Sequence, residues 1–130
     1  MSTQKLDMVV VGWKCPYEDG KKYEKTIGQG ADFYENIVED KMGFDYYHIK
    51  KNDLFKLFCF FDGNNGDFII WGVVLAAQMD QGDVTDYEPT VWNEKDLNHK
   101  KELAKVQMEK IPECIRPTGE PELIIFTQYH

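Results

Sequence analysis

The densest run of apolar positions lies at 53–78, where two apolar stretches flank a polar, glycine-rich turn. Leu54, Phe55 and Leu57 through Phe61 lead into Asp62-Gly63-Asn64-Asn65-Gly66-Asp67, and Phe68 through Ala77 lead out. Aromatic and β-branched residues bounded by turn formers predict two antiparallel strands of one hairpin. Asn65-Gly66 suits its turn, because both residues accept positive φ cheaply. Asp62 and Asn64 give the turn a faint look of a calcium loop, but Gly66 stands at the fifth position and Val73 at the twelfth, where a bidentate Glu is needed.

Side chains alternate along a strand, so Phe55, Leu57, Cys59 and Phe61 share one face, and Leu54, Phe58 and Phe60 the other. In the second strand Ile69, Trp71, Val73 and Leu75 oppose Phe68, Ile70, Val74 and Ala76. Neither strand alternates apolar with polar, so both faces are expected to be covered. Two helices on one face would leave the other bare, which predicts a homodimer through the exposed sheet face or a protein partner.

Elsewhere the pattern predicts a strand over 6–14, ended by Cys15-Pro16. Residues 17–30, charged and rich in glycine, read as a loop with a short strand at 23–27. Gly28-Gln29-Gly30 lacks the Lys-Ser/Thr pair and the third glycine of a phosphate-binding loop. A helix is expected over 31–42, with Phe33, Tyr34, Ile37, Val38 and Met42 as its apolar stripe and Gly43 ending it. Its acids at 32, 35, 39 and 40 read as a solvated face. Residues 45–51 predict a strand carrying His48. Residues 93–111 predict a helix with Asn93 as N-cap and Leu97, Ala104, Met108 and Ile111 facing the core. Residues 123–127 predict a last strand. The order β-α-β-β-β-α-β describes a single two-layer α+β domain over 1–130, its mixed or antiparallel sheet of about five strands carrying two helices.

Charge sharpens this picture. The 130 residues carry a formal charge of −8, which disfavours direct binding to nucleic acid and favours a basic partner. The segment 79–96 holds six carboxylates against one lysine, a net −5 of that −8. Asp80, Asp83, Asp86, Tyr87, Glu88 and Trp92 form the candidate partner-binding set, aromatic anchors among acids. A solvated loop whose Trp92 tucks back onto the core ranks ahead of docking, and metal chelation behind it, since the spacing fits no calcium or magnesium template. The alternative set is a ligand pocket of Tyr46, His48, Trp71 and Cys15, with Cys15–His48 as its one conceivable reactive pair.

Three cysteines form no CxxC pair and fit a reducing compartment. No stretch approaches the roughly 18 apolar residues of a membrane span, and the first residues are too polar for a signal segment. A cytoplasmic, cofactor-free protein without a metal is therefore expected. Two functions follow. The favoured one is a non-enzymatic acidic protein-binding module, of inhibitor or immunity type, that docks on a basic protein such as one handling nucleic acid. The other is a small enzyme or ligand-binding domain acting as a homodimer.

Overall fold

The computed structural model describes residues 5–45, 48–61, 68–80 and 91–129. Among these residues, four antiparallel strands form one sheet: β1 (Lys5–Pro16), β2 (Leu57–Phe61), β3 (Phe68–Asp80) and β4 (Glu122–Tyr129), in the order β2-β3-β1-β4. The class is α+β, with four strands where about five are expected. The hairpin holds, with Leu57 opposite Val73 and Phe61 opposite Ile69; its turn at 62–67 lies outside the described residues. The last strand does not join the hairpin. It lies on the far side of β1, and every pairing is antiparallel.

Three expectations need correction. Residues 17–30 contain a helix, α1 (Glu18–Ile27), with Glu18 and Asp19 favourably placed in its first turn and Tyr23 buried beneath it. Gly20 does not break this helix; it is buried against the Phe33 ring. The stripe over 31–42 folds as a π-helical turn at Tyr34–Glu39, where the Met42 N–H donates to the Ile37 carbonyl at 2.7 Å. The five-residue step turns both Ile37 and Met42 inward. Gly43 then passes so close to the Val38 carbonyl that a Cβ there would collide with it. Finally, no strand forms within the described part of 45–51. A 3₁₀ turn at Lys51–Phe55 stands there instead, closed by the Lys50 N–H donating to Asp53 Oδ2 at 2.9 Å, and Leu54 and Phe55 remain partly exposed.

Helix α2 (Glu94–Gln107) has the expected cap. The Asp96 N–H donates to Asn93 Oδ1 at 2.8 Å, and the Asn93 N–H to Asp96 Oδ2 at 3.1 Å. Ala104 and Ile111 are fully buried as predicted, while Val106 lies exposed off the stripe. Helix α1, the π-helical turn and α2 contribute Tyr23, Ile37 and Ala104 to one face of the sheet, around Trp13, Trp71 and Val73. Phe33 joins the layers there: its ring meets Tyr23 at 5.6 Å and Trp71 at 6.1 Å, both edge-on, and its N–H donates to Glu24 Oε2 at 2.8 Å.

The opposite face is not bare. Met8, Val10, Phe60 and Val74 are buried within the single chain, so the expected exposed sheet face is absent. The reason is curvature. Phe60 on β2 and Phe126 on β4 sit at opposite ends of the sheet, three strand spacings or about 14 Å apart if it were flat, yet their ring centroids lie 5.3 Å apart. The sheet coils so that this face closes on itself, and Phe44 packs on Phe58 at 5.0 Å to seal it. A bulge where the register shifts between Val9 and Val10 adds twist and breaks the alternation predicted at Leu75 and Ala76.

Gly12 and Gly72 face each other on this concave side. A Cβ on Gly12 would overlap the Trp71 carbonyl oxygen, which is backbone and cannot yield; one on Gly72 would meet the Val10 side chain. Gly12→Ala is therefore expected to cost about 3 kcal/mol or more of unfolding free energy, measured in urea. A loss below about 0.5 kcal/mol, typical of a neutral surface site, would contradict this packing.

Candidate functional site

Asp80 of the predicted acidic segment is the last residue of β3, and the described residues resume at Val91. Asp83, Asp86, Tyr87 and Glu88 lie outside the described residues. Trp92 is half-buried in a shallow groove of about 190 Å³, among Asp7, Val9, Ala76, Gln78 and Ile125. The groove draws on β1, β3 and β4 together. Around it the surface is apolar: Val91 is 88 % exposed and Ile125 72 %.

This ledge has a firm footing. Val9 and Ile125 are direct partners across β1 and β4, so their side chains share a face. Asp7 accepts a 2.7 Å hydrogen bond from the Thr127 hydroxyl across the same strand pair. Farther along β4, Leu123 and Ile125 border a second groove of about 550 Å³ with Trp13, Lys14 and residues 117–120. The Trp13 indole N–H donates to the Gly119 carbonyl at 3.1 Å, and Lys105 pairs with Glu120 at 2.6 Å. Arg116 fixes the preceding turn by donating to the carbonyls of Ile111 and Glu109.

Sequence reasoning singled out Trp92 but missed Val9, Leu123 and Ile125. Val9 sits inside an unbroken β-branched run, and Leu123-Ile124-Ile125-Phe126 reads as a strand buried on both faces. Nothing local in either run marks an exposed side chain.

The alternative pocket residues are distributed differently. Trp71 and Cys15 lie in the core beneath the helices, Trp71 fully buried and Cys15 6 % exposed. His48 stands on the surface, its Nδ1 3.0 Å from Asp45 Oδ2. It borders an open depression of about 670 Å³ with Lys41, Lys50, Lys56, Lys110 and Asp53. Tyr46 lies outside the described residues. Burial pushes the Cys15 thiol up to about 11; the nearby Asp19 carboxylate adds to this, and the Trp71 indole opposes it. That indole N–H makes no well-formed hydrogen bond; its influence on the sulfur is a weak polar contact, not a full bond. Burial also raises the Cys59 thiol, with Cys15 adding to it. Both groups are neutral at pH 7 and are poor nucleophiles. Among the described residues, no three His, Cys, Asp or Glu side chains gather as metal ligands.

The buried thiol has a consequence for stability. The folded state holds the Cys15 proton more tightly than the unfolded chain, whose thiol titrates near 9.0. Stability from this group is full below that value and falls as pH rises from about 9 to about 11. Denaturation across that range should show a steeper fall for wild type than for Cys15→Ala. Parallel curves would remove the group from the account.

Comparison of the chain with protein-family models, with curated proteins and with solved structures gives no match.

Proposed function

We propose that this chain is a non-enzymatic, acidic protein-binding module of inhibitor or immunity type that docks on a basic protein. The observation that carries this reading is the ledge around Trp92. A half-buried indole sits between exposed Val91 and Ile125, at the foot of the segment that contributes most of the chain's negative charge. A large aromatic flanked by apolar area and rimmed by one sign of charge suits an interface core with electrostatic steering.

Asp80, Asp83, Asp86 and Glu88 would supply the rim, with Tyr87 and Trp92 as anchors. The basic partner belongs to a class rich in nucleic-acid-handling proteins; a formal charge of −8 opposes direct contact with nucleic acid itself. Three free cysteines, two of them sealed in the core, suit a cytoplasmic setting. No helix among the described residues is long and apolar enough to cross a membrane. The pocket reading of Tyr46, His48, Trp71 and Cys15 draws less support, since His48 is exposed while Cys15 and Trp71 are core residues.

The test begins with capture of partners from cell lysate at low salt, followed by titration of the purified partner. Asp80→Asn/Asp83→Asn/Asp86→Asn should weaken binding about tenfold or more at low salt and flatten its salt dependence. Trp92→Ala should cost about 2 kcal/mol at any salt. Unchanged affinity and an unchanged salt slope in the triple variant would refute the reading.

A further inference from the structure

The two edges of the sheet are treated differently. Along β2 two outward donors are already used: the Leu57 N–H donates to Gln107 Oε1 at 2.9 Å, and the Cys59 N–H to the Met42 carbonyl at 2.7 Å. Gln107 Nε2 also donates to the Phe55 carbonyl at 2.8 Å, which pins the approach to that edge. β4 is the other terminal strand, and among the described residues nothing hydrogen-bonds to its outer edge. Its register on β1 runs without a shift from Lys5–Tyr129 to Gly12–Glu122, so no bulge turns the edge away. Its eight residues contain no lysine and no proline, and their one charge, Glu122, stands at the start. Among the described residues, the devices that ordinarily blunt an edge strand are missing.

We propose that β4 pairs antiparallel with the β4 of a second copy of this chain, about a twofold axis at Ile125, joining the two sheets into one. The strand is complementary to itself in this register. Opposite positions in an antiparallel pair share a face, and an axis at residue 125 sets Ile125 against Ile125, Leu123 against Thr127 and Ile124 against Phe126. Glu122 falls opposite Gln128, so the charge never meets its own copy. The exposed side chains of Ile125 and Leu123, at 72 % and 41 %, then cover one another across the axis. β4 is itself an extended segment with apolar side chains on both faces, Leu123 and Ile125 on one and Ile124 and Phe126 on the other.

This inference does not rest on the docking reading, and the two have opposite salt signatures. Each copy carries −8, so screening strengthens the pairing of two copies and weakens attachment to a basic protein. Sedimentation of the full chain over a range of concentration and salt should show a monomer–dimer equilibrium that moves toward dimer as salt rises. Ile125→Lys sets two lysines side by side at the axis and should weaken the dimer about tenfold or more. The variant also lowers the net negative charge, so a general charge effect would act the other way. Because Ile125 is so exposed, circular dichroism and melting should be close to wild type. Val106→Lys, at an exposed position on α2, should dimerise like wild type. In a Cys114→Ser background, Ile125→Cys should crosslink to a dimer when oxidised with diamide.

A wild type that stays monomeric at every concentration and salt would overturn the proposal, as would a dimer indifferent to Ile125→Lys. Either result would leave the docking reading standing, because that reading is tested by partner affinity and its Asp80, Asp83 and Asp86 dependence.

Discussion

Gly12 and Gly72 face each other where β1 crosses β3, and neither position has room for a Cβ. That close approach is the constraint on which the rest of the structure depends. It lets the sheet bend sharply at its centre, and the bulge beside Val9 and Val10 adds to the coil. Bending brings Phe60 and Phe126 into contact from opposite ends of the sheet, and Met8, Val10 and Val74 are buried with no covering helix among the described residues. The helices are then free to pack on the other face, around Phe33, Trp13 and Trp71. A small chain thereby fills two apolar clusters with one sheet and one helical layer.

Coiling also decides what remains at the surface. β1 pairs on both sides over Lys5–Gly12, so the sheet presents only β2 and β4 as edges. On the β2 edge, Gln107 and the Met42 carbonyl take up the Leu57 and Cys59 donors. The helical layer stops short of β4, which leaves Ile125 and Leu123 open beside the Trp92 groove. This exposed apolar surface adjoins Val91 and Trp92, which follow the acidic positions 80–88 in sequence.

Much of this fold was legible in the sequence. The hairpin, the first and last strands, the Asn93 cap and the faces assigned to Phe58, Cys59, Phe60, Ile69, Ile70 and Trp71 follow from alternation and turn chemistry alone. Helix α1 was hidden because Gly20 and Gly28 look like loop residues; burial of Gly20 against Phe33 is a tertiary fact. The π-helical turn was hidden because Ile37 and Val38 fit a 3.6-residue stripe as readily as a wider one. His48 and Ile49 look like part of a strand, yet the capped turn at Lys51–Phe55 follows them and Gln107 takes up a donor on the edge of β2. Of the candidate site, Trp92 could be found from its acidic neighbours. Ile125 could not, because strand order, which alone exposes it, depends on which strand β4 joins.

The central claim is the asymmetry between a sealed edge and an open one, and hydrogen exchange of single amides measures it most directly. The account predicts that the Leu57 and Cys59 amides are protected at every protein concentration. It predicts that the β4 amides facing away from β1 exchange rapidly in dilute solution and slow as concentration rises. Rapid exchange at Leu57 and Cys59, or β4 amides whose protection is independent of concentration, would contradict it.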